Sequence, residues 1–192
     1  MMIKAIVFDC FGVLATEAWL PFKAKHFSND AAKFEQASDL AKRANAGLIS
    51  QQEFINTAAK MAGITPLEAE QYISRNVPNE ELFEYIKELK KTYKIGFLSN
   101  IAGNFLHRMF TEEQLSLFDQ TSLSFETGFV KPDPRAFLEM TSKLGVEPGE
   151  AVMVDDQERI ITGAREAGLK AILFKDASQF KSDLAKLIQS EK

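Results

Sequence analysis

Residues 3 to 8 form a run rich in isoleucine and valine that alternates little between apolar and polar side chains and ends abruptly on Asp9. Such a run suits a strand buried on both faces, and therefore a central strand in a sheet covered by helices on each side. The pattern recurs. Ile95-Gly96-Phe97-Leu98 runs into Ser99 and Asn100, and Ala151-Val152-Met153-Val154 runs into Asp155 and Asp156. Leu123 to Phe125 reads as a short strand and Leu169 to Phe174 as a last one. Helical segments are expected from Gly103 to Leu117, from Asp133-Pro134 to Gly145, after Asp156 up to Gly168, and along the stripe Phe180, Leu184, Leu187 and Ile188. Strands alternating with helices specify an α/β chain with a doubly wound parallel sheet.

The alternation is interrupted once. Between Ala15 and Lys91 no strand-like run appears. Ser50-Gln51-Gln52-Glu53 and Thr65-Pro66-Leu67-Glu68 have capping-box spacing, Gly47 and Gly63 stand where preceding helices should stop, and a further helix begins after Asn79. Residues 1–14 and 92–192 are thus expected to form the core and residues 15–91 a helical insertion. Because the insertion leaves from the carboxyl end of the first strand, it belongs above that edge of the sheet, as a lid.

Charge and cysteine content exclude several classes. The 27 acids against 23 bases give a net charge of −4, with no basic run to track phosphates along a duplex, so nucleic acid is not an expected partner. No apolar run approaches the roughly 20 residues needed to cross a bilayer, so no membrane association is expected. Cys10 is the single cysteine, which suits a reducing compartment, and a cytoplasmic protein is expected. Cys10 reads as a small buried residue, and His26 and His107 lack partners at metal-ligand spacing.

Chemistry concentrates at the strand ends. In an open parallel sheet, ligands bind outside the carboxyl ends of the strands, which is where Asp9, Ser99, Asn100, Asp155 and Asp156 fall, with Lys131 following the short third strand. Three converging carboxylates repel one another unless a cation intervenes, and magnesium prefers such oxygen ligands. Lys131, the Ser99 hydroxyl and a group at Asn100 are suited to phosphate oxygens. Trp19, close in sequence to Asp9, is a candidate for the pocket wall.

In this order the motifs resemble the haloacid dehalogenase-like hydrolase superfamily: Phe8-Asp9-Cys10-Phe11-Gly12-Val13-Leu14, Leu98-Ser99-Asn100, Gly128-Phe129-Val130-Lys131-Pro132-Asp133-Pro134 and Val154-Asp155-Asp156. The resemblance implies a Rossmann-like sheet of strand order 5-4-1-2-3 with a helical cap. It further implies Asp9 as nucleophile and Mg2+ held by Asp9, the Phe11 backbone carbonyl and Asp156, with Asp155 assisting. Ser99, Asn100 and Lys131 would bind phosphate, and the substrate would be a small phosphorylated metabolite.

Phosphatases of this family usually carry a second aspartate, a general acid and base, where this chain has Phe11, and often an acid or amide where it has Ile160. The reading adopted is a magnesium-dependent phosphatase working through an aspartyl-phosphate. Two others stand beside it. A catalytically weak binding or regulatory protein would explain Phe11, and a metal-free 2-haloacid dehalogenase would explain an aromatic residue there, although Asp155 and Asp156 would repel its anionic substrate.

Overall fold

Burial of the first strand on both faces dictates the architecture. The computed structural model describes residues 2–189. Strands β1 (Ala5–Phe8), β2 (Lys94–Ser99), β3 (Gln120–Leu123), β4 (Ala151–Asp155) and β5 (Lys170–Leu173) form one parallel sheet of order β3-β2-β1-β4-β5. This is the expected 5-4-1-2-3 order read from the opposite edge.

The helices are α1 (Trp19–Phe27), α2 (Ala31–Asn45), α3 (Gln51–Ala62), α4 (Pro66–Ile73), α5 (Glu80–Leu89), α6 (Leu106–Met109), α7 (Glu112–Leu115), α8 (Ser124–Thr127), α9 (Pro134–Leu144), α10 (Glu158–Glu166) and α11 (Ala177–Gln189). Among the described residues, no helix is long and apolar enough to cross a membrane.

Period-two alternation assigns the sheet's two faces. Ile6, Phe8, Ile95, Phe97, Val152 and Val154 pack on one side with Phe83 and Ile86 of α5 and Phe180 and Leu184 of α11. Ala5, Val7, Leu98, Ala151 and Met153 pack on the other with Phe137 and Met140 of α9 and Ile160 and Ala164 of α10.

The inserted segment divides by packing. Helices α1 to α4 share a core of their own that includes Phe22, Phe27, Leu40, Phe54, Ile55 and Ala58. Helix α5 does not join it, because its stripe Leu82, Phe83, Ile86 and Leu89 is buried under the sheet. Entry and exit of the four-helix unit are tied together. Ala15 bridges Pro78, Thr16 N donates to Val77 O at 3.0 Å, Val77 N donates to Thr16 Oγ1 at 2.8 Å, and Asn79 N donates to Leu14 O at 2.9 Å.

Punctuation worked where side-chain chemistry fixes a terminus. Thr65 and Glu68 close a full capping box, Ser50 accepts from Glu53 N, and Gly63 and Gly145 cap their helices in the left-handed conformation. Two segments differ from expectation. The third strand is Gln120–Leu123 rather than Leu123 to Phe125, and Ser124–Thr127 is a helical turn. As an edge strand paired only to β2, it needs backbone partners more than apolar side chains, and Gln120 and Thr121 face solvent. The expected helix from Gly103 to Leu117 is two short ones, broken at Phe110, which is extended, and restarted by a capping box of Thr111 with Gln114.

Candidate active site

The carboxyl ends of β1 and β4 lie side by side, Phe8 paired with Val154, and each strand delivers an acid at its end. Asp9 continues the ladder, its N–H donating to Val154 O at 2.9 Å. Asp9 and Asp155 are buried, at 5% and 0% exposure. Two buried carboxylates need a cation, and Lys131 supplies it: Nζ donates to Asp9 Oδ1 and to Asp155 Oδ2, each at 2.7 Å.

Burial pushes the Asp9 carboxyl up to about 7 against the opposing pull of Lys131, and the neighbouring Asp155 adds to the rise. Burial alone would lower the Lys131 ammonium, but Asp9 and Asp155 outweigh it and raise it, so the cation is retained.

Lys131 sits in a loop, and two devices fix that loop. Asn100, at the end of β2, brackets its backbone: Nδ2 donates to Lys131 O at 2.9 Å, and Oδ1 accepts from Lys131 N at 2.8 Å. On the other side Gly163 of α10 lies against Pro132, where an added Cβ would meet the Pro132 carbonyl oxygen at 2.9 Å. Asn100 therefore spends both ends of its side chain on positioning Lys131.

Ser99 is fully buried, and its Oγ has no hydrogen-bond partner among the described residues, with the weakly polar Cys10 thiol beside it. An orphaned hydroxyl is costly to bury and is available to an incoming oxyanion.

Asp156 is the exposed third acid. Oxygens of Asp9, Asp155 and Asp156 lie within 4.8 Å of one another. Partial loss of water, then the charge of Asp155, raises the Asp156 carboxyl above its ordinary value. Asp155 has both oxygens committed, Oδ2 to Lys131 and Oδ1 to the N–H of Gln157 at 3.0 Å. Its place is to hold Lys131, whereas Asp9 and Asp156 keep oxygens for another cation. After Asp9 the chain turns on Gly12, at φ 86°, with Cys10 O accepting from Leu14 N and Ala15 N and Gly12 N donating to Ala15 O. The Phe11 carbonyl takes part in none of these bonds. Ile160 is a core residue of the α10 face.

Above this cluster lies a cavity of about 240 Å³, whose walls include Asp9, Phe11, Trp19, Asn100, Lys131 and Asp155. Its far side comes from α1 and α2, so the four-helix unit closes it. Trp19 thus stands in the wall, stacked on Phe22 at 5.5 Å between ring centroids. Glu17 also lines the cavity and was not singled out from the sequence, since an acid just ahead of a helix reads only as a cap. Lys23, Lys42 and Arg159 reach it too, from elements whose facing could not be known before the chain folded.

A family model for haloacid dehalogenase-like hydrolases matches residues 3–168. A pyrophosphatase of Bacillus cereus, PpaX, is 32% identical over 93 residues, 47% of this chain and 43% of that protein. The chain spans less than half the length of the curated relatives it matches. Among solved structures, a predicted HAD-like family hydrolase from Porphyromonas gingivalis superposes with a TM-score of 0.79 at 25% identity, covering 98% of both chains. A HAD family enzyme from Bacteroides thetaiotaomicron, in complex with magnesium and inorganic phosphate, does so with a TM-score of 0.74 at 25% identity over 93% of this chain and 98% of that one.

Proposed function

Because the chain belongs to the haloacid dehalogenase-like hydrolases, we propose that it is a magnesium-dependent phosphatase of a small phosphorylated metabolite, working through an aspartyl-phosphate on Asp9. The observation that carries this reading is the Asp9–Lys131–Asp155 triad at the floor of a small cavity, with Asp156 close by. Lys131 leaves one Asp9 oxygen, Oδ2, outside the ion pair and favours the charged carboxylate against the effect of burial.

The residues fit magnesium. Asp9 and Asp156 are hard oxygen donors within 4.8 Å of each other, the Phe11 carbonyl is free of the turn's hydrogen bonds, and Gly12 carries no side chain to fill the space beside Asp156. When bound there, the ion would neutralise charge on the phosphate and its nucleophile. Asp9 attacks phosphorus and the alcohol departs; water then releases phosphate and regenerates the carboxylate. Lys131 and the Ser99 hydroxyl bind phosphate oxygens, while Asn100 and Asp155 position Lys131. We assign α1 to α4 as the cap, bounded by the Ala15–Pro78 bridge, with α5 counted in the core. A metal-free dehalogenase is disfavoured, because Asp156, unpaired by Lys131, would repel a carboxylate substrate.

The test is phosphate release with magnesium across acyl, aryl and sugar phosphates, beside Asp9→Asn. Release by the native chain that vanishes in Asp9→Asn supports the mechanism; release that persists in the variant would sink it.

A further inference from the structure

The phosphatase reading leaves one chemical requirement open. A leaving alkoxide needs a proton and the second step needs a base, yet Phe11 stands where the family's acid-base aspartate would be, and phenylalanine can serve neither purpose. Of the carboxylates around the cavity, Asp9 and Asp155 are bound to Lys131, and Asp156 is not among its wall residues. One further carboxylate reaches the space, that of Glu17.

Three features fix Glu17 there. Its neighbour Thr16 is pinned to Val77 through backbone and hydroxyl, and Asn76 Nδ2 donates to Thr16 O at 2.6 Å, so the backbone is held at the junction of cap and core. Its two carboxylate oxygens accept from the first-turn amides of α1, Oε1 from Trp19 N at 2.9 Å and Oε2 from Leu20 N at 2.6 Å. Its hydrogen bonds go to these amides and to none of the acids, and Phe11, Trp19 and Asn100 share with it the walls of both adjoining cavities. An amide bond uses one lone pair of each oxygen and leaves another for a ligand.

We propose that Glu17 is the catalytic acid and base of this active site, doing from the start of the cap what the position of Phe11 cannot do.

Resting on the phosphatase reading, the cycle balances. Asp9 forms a bond to phosphorus as the bond to the leaving oxygen breaks, and that oxygen takes the proton of the Glu17 carboxylic acid. The Glu17 carboxylate then takes a proton from water as the water oxygen bonds to phosphorus and the bond to Asp9 breaks. Ester and water become alcohol and phosphate, and Glu17 is protonated again.

The surroundings suit both forms of the group. Burial raises the Glu17 carboxyl above its ordinary value and Asp156 adds to the rise, whereas the two amides and Lys23 oppose it. The other charges around the cavity are Lys42 from α2 and Arg159 from α10, with the Asp9–Lys131–Asp155 triad at the floor.

The experiment compares native protein, Glu17→Gln, and Glu17→Gln with Phe11→Asp, on an alkyl phosphate and on p-nitrophenyl phosphate with magnesium. Glutamine keeps an oxygen for the helix amides but transfers no proton. Turnover of the alkyl ester should fall by about 10²–10⁴ in Glu17→Gln. With the aryl ester, a burst of nitrophenol followed by slow release and phosphorylated Asp9 in the mass spectrum is expected, and Phe11→Asp should restore turnover. A Glu17→Gln protein that matches the native rate, or loses equally on both esters with no burst, overturns the proposal and leaves a helix cap. A native protein that releases no phosphate from any ester sinks the phosphatase reading itself, and this inference with it.

Discussion

A Cβ added to Gly12 would overlap the carboxylate of Asp156, so the turn after β1 and the acid after β4 are fitted to each other across the sheet. Gly12 is also at φ 86°, a left-handed backbone that costs an L-residue about 1–2 kcal/mol. Gly12→Ala should therefore lower stability by an amount of that order and, by displacing Asp156, weaken magnesium binding. Denaturant melts and calorimetric titration with magnesium read the two effects separately. A variant with native magnesium affinity would mean that Asp156 is not a ligand.

Lys131→Met should destabilise by about 3–5 kcal/mol at neutral pH, because it leaves Asp9 and Asp155 buried without a cation. The sign of the pH dependence follows from the raised folded pKa of Asp9, which burial lifts to about 7. A buried, unpaired carboxyl binds protons more readily in the folded state, so its penalty grows as pH rises and fades as pH falls toward the unfolded value. Urea melts of the variant from neutral to acid pH should show the gap to native protein narrowing; a gap independent of pH would count against ionised partners.

Asn79 serves two elements at once. Its Oδ1 accepts from Leu82 N to cap α5, and its Nδ2 donates to Val13 O at 3.2 Å beside the active-site turn. Asn79→Ala should cost about 0.5–2 kcal/mol. If the tie also sets the cap's approach to Asp9, KM should rise more than kcat falls. Asn79→Asp, which keeps the cap acceptor and loses the donor, should retain stability but show the same KM change.

Asp119 gives a prediction remote from the cavity. Partial burial alone would raise its carboxyl, but hydrogen bonds from Lys90 Nζ at 2.8 Å and Ile95 N at 2.7 Å outweigh that and hold it below 3.8. A depressed folded pKa contributes stability that is present above the unfolded value and lost as pH falls through the folded one. Asp119→Asn should be less stable than native protein at neutral pH, and the two should converge in acid melts below about pH 4. Parallel curves down to the lowest pH would refute the assignment.

The strand cores, most of the helix ends and the acids of β1 and β4 were legible along the chain, because each depends on interactions within a few residues, and the alternation of strands with helices made the parallel sheet legible too. Unalternating apolar runs require burial on both faces, and Thr65, Gly63 and Gly145 terminate helices through their own backbone or side-chain chemistry. The edge strand Gln120–Leu123 was misread because its pairing satisfies backbone groups while its first side chains face water. At Asn100 the strand-end position suggests a backbone amide for phosphate, and only the fold shows that its side chain brackets Lys131, 31 residues on. The same holds for Glu17. Its sequence neighbourhood says helix cap, and its approach to the cavity depends on how α1 and α2 close over the sheet, a matter of packing between segments far apart in the chain. Sequence thus determined which groups are present and at which strand ends, and tertiary structure decided which of them share oxygens, because hydrogen bonds at 2.7 Å depend on where distant segments come to rest.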